Sequence, residues 1–231
     1  MAKGSRGGKV SSSGKKSPDI YRGLYVEGSP GEHQQEADSV VSGVRDVLAD
    51  FGFDDELRGV RFSPTGTIRR GEAEAAMNGL GDLTISTKAL SRGEVNSNGY
   101  LVSDTFYGTG AHEGGHALVN ALLKNSVTIN PDDKNKTPSR ANLERATARH
   151  KGKLETAIIK EAKKRYGSNP PISGYGSKNH IEKVAEAVSD YYANKSNAKP
   201  YSKTIVEVMK DIKSGKYKPK IHISEREMYN R

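Results

Sequence analysis

The stretch Asp104-Thr-Phe-Tyr-Gly-Thr-Gly-Ala-His112-Glu113-Gly114-Gly115-His116-Ala-Leu-Val-Asn-Ala-Leu-Leu-Lys124 decides how the rest of the chain is read. Ala111, Leu118, Val119, Leu122 and Leu123 recur at helical intervals, so a helix is expected from about Asp104 or Thr105 to Lys124. Within it His112, Glu113 and His116 fit the pattern H-E-x-x-H. Residues i and i+4 leave a helix from one face. Both imidazoles can therefore meet a single Zn²⁺ at about 2.0–2.1 Å, with Glu113 beside them in reach of a water on that metal. Gly114 and Gly115 each cost the helix about 1 kcal/mol relative to Ala, which implies close approach of backbone or substrate at this point.

A catalytic zinc needs a third protein ligand and an open position. The chain has no cysteine, so thiolate ligands, a thiol nucleophile and disulfides are all excluded. Leu122 stands where a third histidine would follow in the longer H-E-x-x-H-x-x-G-x-x-H pattern, which excludes that class too. A carboxylate from another helix remains. Glu182, Glu186 and Asp190 recur every four residues in a helix expected from about Ser177 to Asn194. Like charges at that spacing disfavour the helix by a few tenths of a kcal/mol per pair, and a cation would convert the repulsion into a binding site. The alternative is a solvated acidic face balanced by Lys178 and Lys183.

The pairing of H-E-x-x-H with a downstream glutamate helix resembles the gluzincin metallopeptidases. More narrowly, Tyr175-Gly176-x-x-Asn179-x-x-Glu182-x-x-Ala185-Glu186-Ala187 resembles the anthrax lethal factor catalytic domain family, including metallopeptidase-like domains encoded near the head genes of tailed bacteriophages. The matching stretches are roughly 105–124 and 173–192. The resemblance implies an α+β, zincin-like fold, helix-rich with a small mixed sheet. It implies zinc ligands His112, His116 and Glu182, Tyr175 facing the site, and Glu186 as an outer partner. A rival match lies in the same segment: Glu186-Ala-Val-Ser-Asp190 is similar to the thermolysin-type E-x-x-S-D, which would make Glu186 the ligand and Asp190 the carboxylate that orients a histidine. The interval from His116 to Glu182 is longer than in the best-known relatives and is filled by a charged helix.

Around this centre, 231 residues suffice for one domain with a sizeable core. Mean hydropathy is −0.74 and only 33% of residues are hydrophobic, so part of the chain should lie outside that core. Residues 1–33, rich in Gly, Ser and Lys, are expected to form a basic mobile tail, residues 34–214 the catalytic domain, and residues 215–231 a loosely attached end. Helices are expected at 34–51, 142–166 and 202–212, and strands at 59–62 and 82–87. No apolar run approaches the roughly 18 residues of a membrane span, and the amino-terminal segment lacks the apolar core of a secretory signal, so a cytoplasmic location is expected.

The net charge of +9 is spread over residues 1–22, 134–165 and 195–220 without a recognisable nucleic-acid motif. It reads mostly as solvated surface, with weak contact to nucleic acid or an acidic partner through the basic tail as the remainder. Two functional readings follow. The first is a zinc endopeptidase acting on a peptide or protein, with Glu113 as general base and Tyr175 donating to the oxyanion. The second is a non-enzymatic, virion-associated or binding protein on the same scaffold.

Overall fold

Val40, Val41, Val44, Val47 and Leu48 form the apolar stripe of helix α1, Gln34–Asp50, and all five are fully buried. In the computed structural model, which describes residues 19–64, 75–91, 99–126 and 140–221 (side chains of 125, 126 and 140–149 excepted), this stripe packs on α3, Phe106–Ser126. The short α2, Thr87–Leu90, precedes it, and the long charged α4, Arg140–Tyr166, follows. Helix α5, His180–Asn194, starts where the Asn179 side chain accepts from the Glu182 N–H at 2.9 Å. Helix α6, Pro200–Lys213, begins on a proline, whose missing N–H costs a first turn nothing. The architecture is α+β and helix-rich, with one small mixed sheet, as expected.

The sheet comprises β1 (Tyr25–Glu27), β2 (Gly59–Ser63), β3 (Ala75–Met77) and β4 (Asp82–Ser86), in the order β1-β2-β4-β3. The first two pairings are parallel, and β3 runs antiparallel to β4 at one edge. Val60 pairs with Leu83 and Phe62 with Ile85, so these four side chains share a face. That face joins the same apolar core as α1, α3, α5 and α6.

Residues 19–33 depart from the expected tail. A 3-10 turn at Asp19–Tyr21 buries Tyr21, and Tyr25–Glu27 is a sheet strand in register with Gly59–Arg61. The strand carries no hydrophobic alternation because its side chains stay exposed; it is held by backbone pairing and by an Arg61–Glu27 ion pair at 2.8 Å. At the other end, Tyr217 and Ile221 pack back onto the core, and the Tyr217 N–H donates to the Asp211 carbonyl at 3.0 Å. The basic segment 1–18 and residues 222–231 lie outside the described residues, as do residues 127–139. Among the described residues no helix is long and apolar enough to cross a membrane.

Glycine governs how closely the helices meet. A Cβ on Gly43 of α1 would strike the backbone of Tyr107 and Ala111, and one on Gly110 would strike the Val40 carbonyl. One turn on, Gly114 faces Val44 and Val47, while a Cβ on Gly115, on the adjoining side of α3, would meet Ala185 and Val188 of α5 at 3.1 Å. Gly152 of α4 has no such neighbour. Gly152→Ala should therefore stabilise the fold by roughly 0.5–1 kcal/mol through helix propensity. Gly110→Ala should reverse the sign and cost about 1–3 kcal/mol or more through overpacking. Urea unfolding of the two variants checks both; a stabilising Gly110→Ala would refute the packing described.

Candidate metal centre

The facing glycines bring the middle of α3 against α5, and this contact places the two motifs together. His112, Glu113 and His116 have ligand atoms all within 4.8 Å of one another. Across from them, Glu182 on the first turn of α5 puts Oε2 3.2 Å from His112 Nε2 and 3.6 Å from His116 Nε2. One turn further, Glu186 reaches the other nitrogen of His112, with Oε1 2.9 Å from Nδ1, while its Oε2 accepts from the Val102 N–H at 2.8 Å. The spacing of four therefore sets Glu182 and Glu186 on the two opposite nitrogens of one imidazole.

Asp190 is not brought to the cluster. Its carboxylate accepts from the Lys199 N–H at 2.9 Å and from Asn194 Nδ2 at 2.7 Å, so it fastens the turn between α5 and α6. Of the two carboxylates in the rival arrangement, Glu186 meets His112 at Nδ1 and Asp190 is bonded to Lys199 and Asn194.

Glu113 and Glu182 differ in how they are engaged. Glu113 Oε2 accepts from the Met77 N–H at 2.7 Å, which ties the α3 carboxylate to the edge strand β3. Glu182 Oε2 is buried between the imidazoles and has no hydrogen-bond partner of acceptable geometry. A buried oxygen in that position, beside two nitrogens aimed at the same point, is what a cation held by two imidazoles and a carboxylate requires. The donor set, with no sulfur and one oxygen, fits zinc. His112, His116 and Glu182 would hold it, with Glu186 fixing His112 through Nδ1.

Electrostatics describes the same demand for positive charge. Burial alone would lower the His112 pKa, but the carboxylates of Glu182 and Glu186 push it up to about 10. Burial likewise opposes ionisation of Glu182, yet the two imidazoles hold its carboxyl far below the usual range. His116 goes the other way: burial lowers it, and Lys151 and His112 add to that effect. Tyr175 is pushed up to about 12 by burial and by the surrounding carboxylates, so its phenol keeps its proton.

Tyr175 sits on a 3-10 turn, Tyr175–Ser177, whose flanking glycines both serve close approach. A Cβ at Gly174 would meet the Tyr100 ring at 2.9 Å, and one at Gly176 would meet Glu186 Cβ and Cγ at 3.3 Å. The phenol ring lies beside His112, with centroids 5.7 Å apart.

Helix α4 supplies residues that belong to no sequence motif. Lys151 Nζ lies 3.4 Å from His116 Nδ1 and 3.9 Å from Glu155 Oε1, and Glu155 is fully buried. Nothing in the local sequence separates these two from the other charges of a lysine-rich helix. His150 is buried on α4, and His180 is exposed with Nδ1 3.2 Å from Thr156 Oγ1; neither joins the cluster. The Met77 and Val102 N–H groups were equally illegible, since a backbone donor leaves no mark in sequence.

No family model, curated protein or solved structure matches the chain. The case for a metal therefore rests on the donor geometry.

Two outcomes follow. His112→Ala, His116→Ala and Glu182→Ala should each abolish stoichiometric zinc, Glu186→Gln should weaken it by roughly 10–100-fold, and Asp190→Asn should leave it unchanged. Competition with a chromogenic chelator reads all five.

The second outcome concerns pH. Burial raises the Glu155 pKa to about 7 from an ordinary 4.5, even with Lys151 opposing. The folded state thus binds the extra proton, and its contribution to stability, on the order of 2 kcal/mol, is present below the unfolded pKa and lost as pH rises through about 7. Glu155→Gln should flatten this fall between pH 5 and 8 in urea unfolding.

Proposed function

We propose that the chain is a zinc-dependent endopeptidase on a zincin-like scaffold of gluzincin type. One observation carries the reading: the buried, hydrogen-bond-free Glu182 oxygen facing the Nε2 atoms of His112 and His116, with Glu113 on the same turn of α3. Bound there, zinc would supply a Lewis acid that activates water and polarises the scissile carbonyl.

The remaining chemistry belongs to side chains. Glu113 takes the proton of the attacking water and returns it to the leaving amine, and its hydrogen bond from the Met77 N–H keeps the carboxylate oriented. The protonated phenol of Tyr175, next to His112, donates to the oxygen on which charge develops. With a metal bound, Glu186 would accept from His112 Nδ1 and so leave Nε2 to the metal. The substrate class under this reading is a peptide or protein, and a cytoplasmic setting, or one within a virion, goes with it.

The variant Glu113→Gln keeps size and hydrogen bonding but cannot accept a proton. It should retain zinc and fold while hydrolysis of a peptide library drops by at least about 10²–10⁴. Tyr175→Phe should lower kcat by roughly 10²–10³ with little change in KM. Equal turnover by wild type and Glu113→Gln would sink the mechanism. Zinc binding without any cleavage would favour the non-enzymatic reading of the same scaffold.

A further inference from the structure

Beside the cluster stands a built wall with an ammonium on it. Tyr100 and Tyr175 meet edge to face, with ring centroids 5.6 Å apart and planes at 74°. The Tyr175 N–H donates to the Tyr100 carbonyl at 2.8 Å, so the two segments are joined through backbone as well as rings. Lys178 lies one 3-10 turn after Tyr175, its N–H donating to the Tyr175 carbonyl at 3.1 Å. Its Nζ rests 4.1 Å from the Tyr175 centroid and 5.3 Å from that of Tyr100.

An ammonium so placed has attractive partners but, among the described residues, no carboxylate in ion-pair contact. The three nearby acids are engaged elsewhere: Glu182 between the imidazoles, Glu186 on His112 and the Val102 N–H, and Glu113 on the Met77 N–H. Tyr100 is 46% exposed and Lys178 is exposed, so the wall is open to solvent. Cation–π contacts fix the position of the charge without neutralising it.

We propose that the Tyr100–Tyr175–Lys178 wall binds a carboxylate of the peptide at this site, so that the site selects acidic peptides over neutral or basic ones. The inference rests on the reading that the centre takes a peptide. The aromatic rings would cover the aliphatic stem of a Glu or Asp while Lys178 pairs with its head. A free C-terminal carboxylate offers the same chemistry, and the two sources separate by experiment.

The test is fluorescence anisotropy with zinc-loaded full-length Glu113→Gln protein, which retains the peptide unhydrolysed. The probes are labelled decapeptides of one sequence carrying Glu, Gln or Lys at each position in turn, with the C-terminus free or amidated. A Glu peptide should bind roughly 3–10-fold tighter than its Gln partner at one position, less so at high salt. Adding Lys178→Met should erase that difference, and Lys178→Glu should turn it in favour of the Lys peptide.

A preference seen only with free C-termini assigns the wall to the chain end; one that survives amidation assigns it to a side chain. Equal binding of Glu and Gln peptides, or a preference that persists in Lys178→Met, overturns the proposal, as does failure to bind any of them. Turnover by the wild-type protein is scored separately. Acid-selective binding without cleavage keeps this inference and rejects the peptidase, and cleavage without acid selectivity does the reverse.

Discussion

Everything at the site depends on α3 lying closer to its neighbours than ordinary side chains allow. Gly43, Gly110 and Gly114 remove the atoms that would hold α1 away, and Gly115 does the same toward α5. The α5 contact is the decisive one, because it brings Glu182 and Glu186 within 3.2 and 2.9 Å of the nitrogens of a single imidazole. Each glycine in α3 lowers helix propensity, and tertiary packing compensates through the wholly buried valines of α1 and through Ala185 and Val188. The loss of local stability is thus coupled to the construction of the centre.

A second constraint is charge. Three carboxylates and two imidazoles share a small, largely buried space, and each carboxylate has been given a different task. Glu186 is satisfied by an imidazole and a backbone N–H, Glu113 by a backbone N–H of the edge strand, and Glu182 by proximity to two rings alone. Only the last leaves a buried oxygen without a hydrogen bond near the rings. Such a division of labour distinguishes this cluster from a solvated acidic helix face, where all the carboxylates would turn to water.

How much of this could be read in the sequence follows from how each feature is encoded. The α3 and α5 motifs were legible because helical spacing fixes which side chains share a face, and α1 because its valines recur at three and four residues. The edge strands were not: Tyr25–Glu27 is exposed throughout and Ala75–Met77 is only three residues long, so neither shows alternation. Which of Glu182 and Glu186 lies between the two imidazoles could not come from spacing, since both project toward α3; it depends on how α5 sits against α3. Asp190 shares their period, but α5 runs past the cluster before reaching it, and its carboxylate meets the start of α6 instead.

Helix α4 is where local rules are broken with least apparent return. It brings Lys151 against the far side of His116 and buries Glu155 completely, a pair 3.9 Å apart that lacks close hydrogen-bonding geometry. A buried pair of this kind seldom adds net stability, because desolvation offsets its Coulomb attraction. Its effect lies at His116: the adjoining cation, with burial, depresses that imidazole's pKa, while carboxylates raise that of His112. Two chemically identical side chains one turn apart are thereby made unequal, His112 by α5 and His116 by α4. A neutral imidazole is the form that can ligate a metal, and under the proposed reading burial and Lys151 favour that form at His116. The charged helix between the two motifs thus reaches the cluster through Lys151, on the Nδ1 side of His116.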